Sequence, residues 1–171
     1  MSPAASPELR PARPEDAAAV AAIWHEGWGD GHLGQVPDAL VAARTRASFE
    51  ERSLARVGDT TVAVVDGAVA GFVIVLGDEV EQVYVDRAFR GAGVAPTLLA
   101  AAERRVAEGG HARAWLAVAP GNARARRFYE RSGWADDGGF TYEAEVAGGR
   151  FGVPCRRYVK DVDPSPGPPQ P

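Results

Sequence analysis

Hydrophobic and polar positions change period several times along the chain, and each change marks an element. "ELRPAR" near the start alternates weakly and carries Pro11, so it predicts a short edge strand. "PEDAAAVAAIWHEGW" opens with Pro14 and two acids and then keeps an alanine-rich apolar face, the pattern of a helix. Four glycines in "GWGDGHLGQVP", residues 27–37, predict a loop, and a second helix is expected over about 38–57. "DTTVAVVD", "AVAGFVIVLG" and "EVEQVYVD" then read as three strands, the first two joined by an Asp66-Gly67 hairpin turn. In "GVAPTLLAAAERRVAEGG" the residues Val94, Leu98, Ala102 and Val106 recur every fourth position, and Gly109-Gly110 stops the helix. "ARAWLAVAP" predicts a strand. "GNARARRFYERSGW" predicts a helix capped by Asn122 and ended by Gly133, and "FTYEAEVAG" with "VPCRRYVKDV" predicts a closing hairpin.

The resulting order, β α α β β β α β α β β, has seven strands and four helices. An antiparallel meander occupies the middle, and a strand–helix–strand crossover over 80–118 requires parallel strands. The expected class is α/β in the broad sense (α+β, three-layer αβα), with a mixed, mostly antiparallel sheet. One domain over 8–163 is predicted, between a disordered extension over 1–7 and a disordered Pro-rich tail over 164–171.

Composition narrows this only slightly. The 171 residues are 46% hydrophobic and 25% charged, in the ordinary globular range. Nothing resembles a membrane span or a secretory h-region, so a cytoplasmic protein without membrane partners is expected. A single cysteine, Cys155, excludes an internal disulfide; it reads as a small buried hydrophobe or, less simply, as a link to another chain. The net charge of −4 argues against a nucleic-acid partner. No Cys/His spacing suits a metal and no G-x-S-x-G elbow is present, so neither a metal site nor a serine hydrolase is predicted.

The candidate chemistry begins at "VDRAFRGAGVAP". The chain leaves a strand, passes Arg90, Gly91, Ala92 and Gly93, and enters a helix through Val94 and Ala95. Glycines there allow positive φ and close approach. The first helical N–H groups have no intrahelical partner, and Arg90 adds a full charge, which together suit a diphosphate. A dinucleotide site and a plain loop-to-helix cap remain alternatives, although Pro96 spoils a G-x-G-x-x-G reading.

"RGAGVA" resembles the [Q/R]-x-x-G-x-[G/A] signature of the GCN5-related N-acetyltransferases, the GNAT superfamily, with Arg90, Gly93 and Ala95 in the fixed places. "EQVYVD" before it and "NARARRFYERSGW" after it resemble the flanking motifs. The latter matches at Asn122, Ala125, Phe128, Tyr129, Gly133 and Trp134. The resemblance implies the GNAT fold, splayed between the fourth and fifth strands. It implies that acetyl-coenzyme A is the cosubstrate, its pyrophosphate on 90–95, and its pantetheine arm along the backbone of Val83, Tyr84 and Val85 and against Asn122 and Ala125. An enzyme of this kind transfers acetyl to an amine of a small molecule or peptide. The alternative is a non-catalytic acyl-coenzyme A sensor.

Within that frame Tyr129 is the candidate acid: it follows Asn122 by seven residues on nearly the same helical face, so it can meet the same ligand further along. Glu81 is the candidate base, with Glu79 or a water chain as alternatives, on the strand face expected to carry Val83 and Val85 as well. The backbone N–H near Val85 is a candidate for polarising the acetyl carbonyl. Trp24, His25, Trp28 and His32 could line the acceptor pocket or anchor the loop to the core. The closing strands could support a homodimer.

Overall fold

The computed structural model describes residues 5–164, so the two expected disordered termini lie largely outside the described residues. Its elements are β1 (Glu8–Pro11), α1 (Ala17–His32), α2 (Asp38–Ala43), α3 (Arg46–Ala55), β2 (Thr60–Val65), β3 (Ala68–Leu76), β4 (Glu79–Val85), α4 (Val94–Glu108), β5 (Arg113–Val118), α5 (Ala123–Arg131), β6 (Ala135–Val146) and β7 (Gly149–Asp161). The sheet runs β1-β2-β3-β4-β5-β7-β6. Every neighbouring pair is antiparallel except β4–β5, which is parallel, as the crossover requires.

Alternation along the central strands builds two cores, one on each face of the sheet. Val62, Phe72 and Ile74 meet Val20, Ile23, Trp24 and Trp28 of α1 and Phe49 of α3. Ala63, Val73 and Val75 meet Val94, Leu98, Ala102 and Val106 of α4, the residues picked out by their four-residue spacing. The sheet between two helical layers is the expected three-layer architecture.

Two helical expectations change. The glycine-rich stretch is helical through His32 rather than a loop from Gly27. Glycine in a helix costs about 1 kcal/mol relative to alanine, and here packing supplies the compensation. A Cβ on Gly27 would collide with the Tyr84 ring, and one on Gly31 would sit 3.1 Å from Asn122 Nδ2. These glycines therefore let α1 lie close to the lip of the sheet instead of breaking it. The second helix is divided, giving five α-helices rather than four, because Thr45 caps a new start: its Oγ1 accepts from Ser48 N at 3.1 Å.

A third change lies in β4. Ile74 faces Gln82 while Val75 faces Val80, so Glu81 is the extra residue of a β-bulge. The bulge moves side chains between faces. Val83 and Val85 pack with the α4 core, whereas Tyr84 packs with the α1 core. Glu79 and Glu81 lie on the Tyr84 side, not on the face of Val83 and Val85 as strict alternation predicts.

Candidate active site

β4 and β5 share one registered pair, Glu79 with Trp115, and then diverge. The divergence opens a cleft of about 880 Å³, lined by Glu79 to Tyr84 on one strand, Trp115 to Val118 on the other, and Asn122, Ala125 and Tyr129 along α5. From Val80 onward the β5-facing edge of β4 has no strand partner. A ligand with amide groups can bond there as a strand would.

At the end of β4 the chain turns into α4 through two left-handed glycines, Gly91 (φ 81°) and Gly93 (φ 78°), with open space where a Cβ would stand on either. The amides of Gly91, Gly93, Val94 and Ala95 donate to no acceptor among the described residues. Free N–H groups at the head of a fifteen-residue helix form an anion cradle. The residues present thus fit the two demands of coenzyme A, a diphosphate seat and an open strand edge. Arg90 differs from expectation in being already paired: its Nη2 donates to Asp30 Oδ2 at 3.1 Å, beside an Arg87–Asp30 contact of 2.6 Å. Those bonds, Arg87's foremost, hold the Asp30 carboxyl below the usual range.

Asn122 caps α5, its Oδ1 accepting from Ala125 N at 3.1 Å, which leaves its Nδ2 free to donate into the cleft. Tyr129 lies on the same wall, packed against Phe128, Trp134 and Tyr158. Burial pushes its phenol up to about 12, so it stays protonated at neutral pH. Tyr84 faces the same space from β4 and its phenol is pushed up still further by burial.

Glu81 has a side chain only 8% exposed and meets Arg56 Nη2 at 3.7 Å. Burial raises its carboxyl above the ordinary range, and Arg56 and Arg52 only partly offset this. Glu79 is also raised by burial, and it accepts from the Tyr142 hydroxyl at 2.8 Å. Both glutamates therefore border the cleft, Glu79 already engaged and Glu81 held loosely. The Cys155 thiol, half-buried in the β7 wall, is pushed up to about 11 by burial and stays a thiol.

The four aromatic and imidazole residues of α1 separate. Trp28 and His32 stack at 4.9 Å on the cleft wall, with His32 Nδ1 2.9 Å from the Trp28 carbonyl and its imidazole driven below its ordinary value by burial. Trp24 is fully buried in the core, and His25 lies exposed on the outer face of α1 against Phe49, so the structure brings neither to the cleft.

Sequence reasoning missed Arg44, Arg52 and Tyr142, which also line the cleft. Arg52 lies 4.2 Å over the Trp24 ring, and burial pushes its guanidinium down to about 10. In "RTRASFEERSLAR" these arginines look like any solvated helix face. Only the Phe49 between them, which anchors α3 to the core, hints that one side of the segment is buried.

Among the described residues no helix is long and apolar enough to cross a membrane, and no cluster of ligands suits a metal ion. No curated protein matches the sequence significantly. Solved structures do share the fold. A GCN5-related N-acetyltransferase from Rhodopseudomonas palustris superposes with a TM-score of 0.74 at 24% identity, covering 93% of this chain and 98% of that one. The PaiA N-acetyltransferase of Thermoplasma acidophilum, in complex with coenzyme A, gives 0.67 at 18% identity over 92% of this chain and 100% of that one. YncA of Salmonella typhimurium, with its cofactor acetyl-CoA, gives 0.67 at 20% identity over 96% and 99%. The model of the acetyltransferase (GNAT) family matches residues 20–134, two-thirds of the sequence and every element of the cleft before β6. The chain belongs to the acetyltransferase (GNAT) family.

Proposed function

We propose that residues 8–163 form one catalytic domain that transfers an acetyl group from acetyl-coenzyme A to a primary amine of a small molecule or peptide by direct attack. The observation that carries this reading is the pairing of the unbonded amides of Gly91, Gly93, Val94 and Ala95 with an open strand edge and a protonated tyrosine along one cleft. Arg90 and the amides of Gly91 to Ala95 hold the diphosphate. The backbone of Val83, Tyr84 and Val85, Asn122 and Ala125 hold the arm.

Two protons must move. An alkylammonium has a pKa near ~10.4 and must lose a proton before its nitrogen attacks the thioester carbon. Glu81, its carboxyl made more basic by burial, accepts it directly or through a water. As the C–S bond breaks, the thiolate takes a proton from the Tyr129 phenol, and a backbone N–H near Val85 stabilises the developing oxyanion. The bonds balance: N–C forms and C–S breaks, one ammonium proton goes to Glu81, the phenol's proton goes to sulfur, and the second proton that nitrogen loses as the amide forms returns to the Tyr129 oxygen directly or through water.

Tyr129→Phe tests this. Its kcat should fall by about 10²-fold or more, with coenzyme A affinity by calorimetry nearly unchanged. A protein that binds acetyl-coenzyme A yet turns over no amine in a broad library would be a sensor, and the catalytic reading would be abandoned.

A further inference from the structure

Two guanidinium groups in the cleft form no ion pair among the described residues and keep unpartnered N–H groups. Arg44, just past α2, is 8% exposed and its Nε is buried without a hydrogen-bond partner; so is one Nη of Arg52. Neither arginine forms an ion pair among the described residues. Arg56, one turn beyond Arg52, does so with Glu81 at 3.7 Å. The face of Arg52 is satisfied by the Trp24 ring, but its N–H edge is not. A buried, unpaired cation is costly, and a second one near it adds repulsion.

Both groups line the cavity that holds Glu81 and Tyr129, and Glu81, Tyr84 and Tyr142 are the polar groups around each of them. The nearby carboxylates are spoken for: Glu81 by Arg56, Glu79 by Tyr142, Glu145 by Arg150. A planar guanidinium fork with unused N–H groups matches a carboxylate or similar oxyanion. The amide cradle for the diphosphate is a separate feature at the far end of β4, so these arginines are not needed there.

We propose that Arg44 and Arg52 form an anion seat at the acceptor end of the cleft, so that the amine substrate bears a compact oxyanion, either a carboxylate, as in an amino acid, or a phosphonate. The assignment rests on the acetyl-transfer reading. It adds a direction to the acceptor: anion on the two arginines, ammonium toward Glu81. The same pairing of charges excludes polycationic amines, which would meet two like charges at close range.

The test uses the full chain with acetyl-coenzyme A and three matched sets of acceptors: free amino acids, their carboxamides, and the corresponding aminophosphonates. The better of the two anionic sets should exceed the carboxamides in kcat/KM by about 30-fold or more, and which set wins identifies the oxyanion. Arg44→Gln and Arg52→Gln should each reduce that preference to about threefold, chiefly through KM, with coenzyme A affinity by calorimetry unchanged. Carboxamides as good as the anions, or a preference that survives both substitutions, would overturn the seat. So would a preference for succinyl- over acetyl-coenzyme A that the same substitutions remove, since the anion would then sit on the donor. Acetylation of some other amine but of none of the three sets would also overturn the seat; if no amine of a broad library is acetylated although coenzyme A binds, the transfer reading fails by itself. The seat is then judged by titrating the same compounds onto coenzyme A-loaded protein. Binding of an anionic set, lost in Arg44→Gln, keeps it; no binding discards it.

Discussion

At the residue scale, the informative group is Glu81, because burial and its charged neighbours act on it in opposite directions. Desolvation raises its carboxyl, Arg56 and Arg52 lower it, and Glu145 and Asp59 raise it again, with burial dominant. A base must be deprotonated, so kcat/KM is expected to rise with pH through an inflection above the ordinary carboxylate range. Glu81→Gln should lose that limb and about 10²-fold in rate. A stability signature accompanies it. A carboxyl raised in the folded state stabilises the fold fully below its unfolded pKa, ~4.3, and that contribution is lost as pH rises through the folded value. Glu81→Gln carries no such loss, so its Tm relative to wild type should increase between acid and neutral pH. A Tm difference that stays flat across that range would mean that Glu81 titrates as it would in water and is a poor candidate for the base.

At the element scale, the sequence was most readable where one period held. β2, β3 and α4 fall where their apolar spacing predicts, since each is buried on the faces that its pattern marks. It was least readable where a tertiary partner reinterprets a residue. Gly27 and Gly31 look like loop formers until Tyr84 and Asn122 come against them. Glu81 seems to share a face with Val83 until the bulge intervenes. No local pattern reveals that α1 would supply Asp30 to the loop between β4 and α4, where it accepts from both Arg87 and Arg90. That clasp has a consequence for binding. Its members are exposed enough that it adds little to stability, yet it places a carboxylate beside an anion cradle. Asp30→Asn is expected to tighten coenzyme A binding by about fivefold at low salt, with the gain fading as salt screens it. Calorimetry at two ionic strengths measures both effects. Weaker binding in the variant would show instead that Asp30 orients Arg90 for the ligand.

At the scale of the whole molecule, the fold is two half-sheets hinged at one point. β1 to β4 form one half and β5, β7 and β6 the other, joined by the Glu79–Trp115 pair and by Trp115, whose backbone N and Nε1 both donate to Asp78 at 3.0 Å. On the α4 side a continuous core bridges the halves, with Val80 and Leu116 in the same cluster as Leu98 and Val106. On the opposite side the cleft lies between them, and Ala144 of β6 and Val153 of β7 join the α1 core beyond it. A ligand lying along both lips would tie together strands that the chain itself leaves apart. Coenzyme A at a hundredfold excess over its Kd should add about 2.7 kcal/mol, which for a chain of this size raises Tm by roughly 5–10 °C. The distribution of the effect is the sharper measurement. Amide hydrogen exchange should slow in 82–85 of β4 and in 116–118 of β5 together, as well as in the cradle at 91–95, and least in β1, which lies at the far edge of the sheet. Arg90→Ala should shrink the Tm shift and leave the pattern of protection in place, since the arm contacts do not depend on that side chain. Protection confined to the cradle would show that the diphosphate is held there while the arm runs elsewhere, and the strand edge between β4 and β5 would lose its proposed role.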